Sequence, residues 1–482
     1  MLPYDKTKPD DIEAYAKKLM GKTFQEIIDA SKYWDWAIKD SKINYENPDM
    51  KGNLGNLLEE LYFGYKANSD QEADFPEAGV ELKATCYDVL KNGKISAGER
   101  LVLTMISYEK PVEEDFFMSD VWHKCRLILL IYYERNKLLA HNTQYKISYA
   151  NLISPAKKDM PVILEDYNTI INVIKNGKAE ELSESMTHYL GACTKGATAL
   201  KSMKPQYYEP NTVARKRAFC FKRQYMDYVL HTYIVPGKTT YEPITTEDEL
   251  TSRTFEEVIA GKINHYADKN DKELCEIFER PYNNNKAQWT DLAYRMLGIK
   301  GNHAEEFQKA NIVVKVSRLE ENMTMNESIS FPPFKFKELS NEEWEDSEVY
   351  DYFSETRFFF VVFKRVGVYY VLSHCKFWAM PYLDLNVTVK NEWQKIHDTI
   401  CNGVKFSFKE QKNGIIINNN LPGIADSKIL HVRPHAQKRA YKLNNGLVVG
   451  NIGRDANELP NGEYMTTQSF WINNRYIESQ IL

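Results

Sequence analysis

The hexapeptide Thr23-Phe24-Gln25-Glu26-Ile27-Ile28 returns 231 residues later as Thr254-Phe255-Glu256-Glu257-Val258-Ile259, one helix start written twice. A second echo has nearly the same spacing. Asp166-Tyr167 with Ile170, Ile174 and Gly177 is matched 226 residues on by Glu392-Trp393 with Ile396, Ile400 and Gly403, each a helical apolar stripe closed by a C-terminal glycine. Between the echoes, two apolar runs of strand length, Leu127 to Tyr133 and Phe358 to Phe363, also fall into step, preceded by Arg126 and Arg357. Self-similarity of this length predicts a duplicated α/β domain of about 230 residues. Pro, Gly and Thr break both periodicities from Val235 to Pro243, so the expected division is residues 1–234, a linker at 235–250, and residues 251–482.

Composition agrees with two cores. A chain of 482 residues that is 43% apolar exceeds what one ordinary core organises. Its apolar runs are far shorter than a bilayer span, so no membrane segment is expected. The stretch from Met1 to Lys8 has no apolar run of signal-peptide type, which predicts a cytoplasmic protein. Seven scattered cysteines without a Cys-x-x-Cys pair predict reduced thiols rather than a disulfide frame or a zinc knuckle. The formal charge of −5 argues mildly against a nucleic-acid partner, but the basic residues are gathered. From Leu190 to Arg223 the chain carries Lys195, Lys201, Lys204, Arg215, Lys216, Arg217, Lys222 and Arg223 against the single acid Glu209. From Lys428 to Lys442 it carries Lys428, Arg433, Lys438, Arg439 and Lys442 with His431 and His435 and no acid. Either stretch suits a phosphate backbone, although solvated basic faces are common.

The chemistry concentrates in Asp74-Phe75-Pro76-Glu77-Ala78-Gly79-Val80-Glu81-Leu82-Lys83. Side chains on a strand alternate, so Glu81 and Lys83 share one face while Val80 and Leu82 face a core. Asp74 and Glu81 offer hard oxygen ligands to Mg²⁺, with the Leu82 carbonyl as a third donor, and Lys83 is placed to stabilise an attacking hydroxide or developing phosphate charge. That set describes a metal-dependent phosphodiesterase. Glu-x-Lys alone is also an ordinary self-compensating polar face. The expected counterpart in the second half is Glu306 to Lys315, where the lysine remains and Val313 stands in place of Glu81, so this copy lacks the complete catalytic set.

These residues resemble the MutH mismatch-repair nicking endonuclease and the larger GATC-cutting restriction endonucleases built of two MutH-like halves. Lys51-Gly52-Asn53-Leu54-Gly55-Asn56-Leu57-Leu58-Glu59 resembles the helix that brings the family's active-site Lys and Glu, and Asp74 to Lys83 resembles its metal-binding core. Tyr189 to Lys195 resembles its base-reading loop, with Leu430 to His435 in the same place in the other copy. Asn341 to Glu348 and Gln468 to Asn474 also look like the two-domain restriction enzymes. The resemblance implies a restriction-endonuclease-like PD-(D/E)xK fold in two tandem domains. It also implies Mg²⁺ dependence and cleavage of double-stranded DNA at 5′-GATC before the G. Asp74, Glu81, Lys83 and Glu59 would then be catalytic, with Asp74, Glu81 and Leu82 at the metal. Lys51, Thr194, Lys195 and Lys222, and Arg433 and His435 in the second half, would contact DNA. Glu59 also fits a solvated helix acid beside the Leu54, Leu57, Leu58 and Leu61 stripe. Cys220 falls where MutH has a tyrosine that senses adenine methylation, which predicts that this methylation does not block cleavage.

The second half is expected to bind another GATC as an allosteric effector, with transient self-association on DNA, and a cognate methyltransferase would act on the same site without obligatory contact. The competing readings are a strand-nicking mismatch-repair enzyme and a non-cleaving GATC-binding protein.

Overall fold

The computed structural model describes residues 2–38, 45, 53–67, 72–196, 202–235, 237, 241–283, 285–411 and 414–482. The chain divides into two units, Met1–Val258 with His303–Asn311, and Ile259–Asn302 with Ile312–Leu482. The linker expected at 235–250 therefore lies inside the first unit.

In the first unit, helix α1 (Phe24–Ser31) precedes α2, which runs from Asn53–Leu57 into the wider-wound Leu58–Phe63. Strands β1 (Glu81–Val89), β2 (Ile95–Ala97) and β3 (Leu101–Met105) follow, then α3 (Asp120–Cys125), β4 (Ile128–Glu134) and β5 (Lys146–Ile153). Helix α4 (Met160–Lys175), β6 (Leu190–Thr194), β7 (Arg217–Phe221) and α5 (Arg223–Val229) complete the series. One mixed sheet has the order β2-β1-β4-β5, with β1 and β4 parallel; a second has the order β3-β7-β6. Val80, Leu82, Leu129 and Ile131 lie in one core with α1 and α2, so the opposite face of β1 carries the polar residues.

The second unit repeats this plan. After α6 (Lys286–Met296), helix α7 (Glu305–Ala310) belongs to the first unit, and β8 (Ile312–Leu319) opens the second-unit sheet. Strands β9 (Ile329–Pro333), β10 (Arg357–Val366) and β11 (Tyr369–Trp378), helix α8 (Lys390–Cys401), strands β12 (Leu430–Pro434) and β13 (Gln468–Ile472), and helix α9 (Asn474–Ile481) follow. The sheet orders are β8-β10-β11, with β8 and β10 parallel, and β9-β13-β12.

The sequence echoes have physical causes. Thr23 accepts the Glu26 N–H at 3.2 Å while Glu26 accepts the Thr23 N–H at 2.7 Å, and Thr254 with Glu257 builds the same capping box at 3.3 and 2.9 Å. Asp166 on α4 accepts the N–H groups of His188, Tyr189 and Leu190 at 2.6–2.9 Å, ahead of β6. Glu392 on α8 accepts those of Lys428 and Leu430 at 2.5 and 2.7 Å, ahead of β12. Gly177 and Gly403, with φ of +70° and +89°, supply the left-handed residue each long helix needs to stop. The expected counterpart of residues 74–83 is only partly strand: Glu305–Ala310 is helical, and the match to β1 begins at Ile312.

Candidate active site

A four-residue turn creates the site. Phe75 and Val80 exchange backbone hydrogen bonds of 2.9 and 3.2 Å, folding Pro76-Glu77-Ala78-Gly79 outward. Gly79 has φ +66°, and a Cβ there would lie 2.8 Å from the Arg126 guanidinium, so glycine suits the turn twice over. The reversal lays Asp74 along the start of β1: its Oδ2 accepts the Leu82 N–H at 2.8 Å, and its own N–H reaches Glu81 Oε2 at 3.3 Å. Successive residues of a strand direct their backbone polar groups to opposite edges. The Glu81 N–H bonds the Leu127 carbonyl at 3.0 Å, toward β4, so the Leu82 peptide faces the other edge, where Asp74 stands and β2 does not reach.

Glu81 is buried and held by two amines, Lys83 Nζ at 2.7 Å on one oxygen and Lys124 Nζ at 3.0 Å on the other. Lys124, at the end of α3, also donates to the Glu72 carbonyl at 2.5 Å. Sequence reasoning misses Lys124: it lies 43 residues from Glu81, on a short helix with no motif of its own. Glu59 is half-buried on α2 and joins the same group. Burial, then the nearby Asp74 carboxylate, push its carboxyl up to about 7. Burial, then Glu81, push Asp74 up to about 6. Tyr65, just after α2, adds a buried hydroxyl with no hydrogen-bond partner among the described residues, its ionisation opposed by burial and by Asp74 and Glu59.

Three carboxylates thus face two ammonium groups, and the cluster is short of positive charge. Carboxyls pushed up by burial and by one another are what a hard divalent cation relieves. Among the described residues no three acidic, imidazole or thiol side chains stand close enough to hold a metal unaided. Two carboxylates with a carbonyl, water and substrate oxygens are nonetheless an ordinary Mg²⁺ environment, and Asp74, Glu81 and the Leu82 carbonyl fit it.

The DNA-contact residues divide. Lys51 lies outside the described residues. Thr194 and Lys195 are half-buried at the end of β6, where Thr194 pairs with Arg217 and the Lys195 N–H bonds the Lys216 carbonyl at 2.9 Å. Arg433 and His435 are exposed at the end of β12, and the Arg433 guanidinium stacks 4.7 Å over Trp471. Lys222 requires a correction: it is 2% exposed and donates to the Thr187 carbonyl, tying the start of α5 to the turn before β6. Cys220 likewise is fully buried in the central strand β7, its thiol on the Gly191 carbonyl, so the methylation argument built on it loses its basis. Within the basic run from 190 to 223, Arg217 as well as Lys222 is unavailable to a phosphate, because β7 is buried on both faces and carries Arg217, which bonds the Ala192 carbonyl at 2.7 Å, into the interior, whereas Lys216 and Arg223 are exposed.

Among the described residues no helix is long and apolar enough to cross a membrane. A family model for the DNA mismatch repair enzyme MutH matches residues 63–166, which include Asp74, Glu81, Lys83 and Lys124. The chain is 36% identical to the type II restriction enzyme Sau3AI of Staphylococcus aureus across 97% of this chain and 96% of that protein. It is 27% identical to the DNA mismatch repair protein MutH of Shigella flexneri across 39% of this chain and 77% of that one. A 29% match to MutH of Serratia proteamaculans (strain 568) covers 28% and 56%. An alignment running nearly the full length of both chains, with Asp74, Glu81, Lys83 and Lys124 inside the MutH match, shows that the chain belongs to the MutH-like type II restriction endonucleases, site-specific deoxyribonucleases.

Proposed function

We propose that the protein cleaves duplex DNA at 5′-GATC, before the G, by Mg²⁺-dependent phosphodiester hydrolysis. One hydrolytic centre lies in the first half, and the second half is a DNA-binding effector without one. The observation that carries this reading is the meeting of Asp74, Glu81, Lys83 and Glu59 at the start of β1, against valine at the equivalent of Glu81 in β8. The GATC site is supported by the resemblance of Tyr189 to Lys195 to the MutH base-reading loop.

Enzymes of this family use divalent metal ions. Held by Asp74, Glu81 and the Leu82 carbonyl, Mg²⁺ would polarise the scissile phosphate and supply hydroxide near neutral pH. Lys83, oriented by Glu81 at 2.7 Å, sets a positive charge beside the phosphate, and Lys124 keeps Glu81 in place. Glu59, with its carboxyl near 7, can accept the proton of the attacking water. The P–O3′ bond breaks as the water oxygen bonds phosphorus, and the departing 3′ oxygen takes a proton from water. The products are a 3′-hydroxyl and a 5′-phosphate on the G. Lys195 and Thr194 contact the major groove, where an ammonium suits the O6 and N7 acceptors of guanine. With one centre per chain, both strands are cut by two molecules pairing transiently on DNA or by successive nicks.

The test is digestion of a labelled duplex with one GATC in the presence of Mg²⁺. A double-strand break before each G is expected. A nick confined to one strand, or binding without cleavage, contradicts the proposal.

A further inference from the structure

The second half keeps a lysine where the first half has Lys83. Lys83 pairs across the sheet with Leu130 and Lys315 pairs with Phe360, each two residues beyond a parallel pair, Glu81 with Ile128 and Val313 with Phe358. The lysine has lost its acids. Val313 replaces the carboxylate that holds Lys83. The expected counterpart of Asp74 is Glu306, whose carboxylate accepts the N–H groups of Ile244 and Thr245, both at 2.9 Å, inside the first unit. On α6, Asp291 is engaged by Arg280 and Arg295 at 2.5 and 3.0 Å.

Lys315 lines a polar cavity of about 260 Å³ with Ser317, Arg318, Asn326, Glu327 and Ser328. The cavity's acids already have cations. Glu320 pairs with Arg365 at 3.1 Å, and Glu327 with Lys286 at 3.2 Å and Arg318 at 3.8 Å. Among the described residues Lys315 makes no hydrogen bond or ion pair, and burial alone holds its ammonium pKa below the ordinary lysine value. Lys315 is half-buried, and an ammonium partly withdrawn from water without a counter-ion carries a cost that methionine or leucine in the same space would not. Its position on the β8 counterpart of the catalytic strand suggests the anion that would complete it.

We propose that Lys315 is a phosphate clamp: the cavity beside β8 receives a backbone phosphate of a second DNA duplex, bound in the place where the first half hydrolyses one. The inference rests on the reading of the second half as a DNA-binding effector. A lysine freed of its metal-ligating neighbours keeps the phosphate contact and loses the means to break the ester. The second half thereby holds DNA in register without cutting.

The test uses the full-length Glu81→Ala chain, in which cleavage is disabled, titrated with a fluorescent GATC duplex with Mg²⁺ present. Two binding steps are expected. Lys315→Met should weaken the second step and lower its dependence of log affinity on log salt by about 0.9, the release of one phosphate's counterions, so the deficit shrinks about 3.5-fold between about 50 and about 200 mM salt. The same substitution should raise the thermal midpoint without DNA, since it removes an unpaired, half-buried charge; Lys315→Gln serves should the methionine variant misfold. Two steps with an unchanged second slope would overturn the clamp alone, whereas a single step for the parent chain would overturn the effector reading with it. Inorganic phosphate at matched ionic strength is the control. A midpoint shift by phosphate that Lys315→Met abolishes, with duplex binding unaltered, would assign the cavity to a free anion and overturn the DNA assignment.

Discussion

Glu81 is gripped by Lys83, by Lys124 and by the backbone of Asp74, and each contact has a separate consequence. Lys83→Ala should lower kcat about 10²–10³-fold, as removal of a preorganised charge beside a reacting group does. Lys124→Met removes a buried partner of a buried carboxylate and should cost roughly 1–3 kcal/mol in denaturant unfolding as well as activity. A catalytic loss without any stability change would show that Lys124 does not anchor Glu81.

The carboxyls also set a pH dependence. Glu59 moves from an ordinary 4.5 to about 7 on folding, so the folded chain binds more protons than the unfolded chain between those values. Its contribution to stability is complete below the unfolded value and is lost as pH rises through the folded one. The metal-free protein's thermal midpoint should therefore fall from about pH 5 to about pH 7.5, and Glu59→Gln should flatten that slope. An equally steep slope in the variant would remove Glu59 from the cluster. Asp74, Glu81 and Lys83 are legible in the sequence because ten adjacent residues hold them on one turn and strand. Lys124 and Tyr65 are not, because only the pairing of β1 with β4 and the end of α2 bring them in.

The turn before β1 and the capped helices show how local chemistry sets the elements. Gly79→Ala forces a side chain into a left-handed backbone and against Arg126, so it should cost on the order of 1 kcal/mol and displace Asp74. Cleavage should fall by more than the stability loss explains, measured as kcat beside an unfolding curve. The capping boxes at Thr23 and Thr254 and the glycines ending α4 and α8 are readable because each motif is complete within a few residues. Burial of β7 is not readable from charge counts. It depends on β7 lying between β3 and β6, and Arg217 and Lys222 find their partners only in that sheet.

Duplication governs the two-domain plan, and the copies have diverged where chemistry is concerned. The repeated sheet orders β3-β7-β6 and β9-β13-β12 follow the echoes in the sequence, but the return of α7 to the first unit has no signal in either repeat. There Lys309 is 1% exposed between Asp159 and Glu305, at 2.6 Å from each. Lys309→Met would leave buried Asp159, among the described residues, with only the Tyr225 hydroxyl at 3.1 Å, while Glu305 keeps Lys158 at 2.5 Å, and should destabilise the first unit by about 1–3 kcal/mol, read as a lower denaturant midpoint.

A single hydrolytic centre per chain underlies the proposed reaction. Strand-resolved digestion of one duplex, labelled on both strands, by the full-length Glu81→Ala chain with Mg²⁺ examines it most directly. Both strands should remain intact while the duplex stays bound; cleavage of either strand at wild-type rate would place the chemistry elsewhere in the protein.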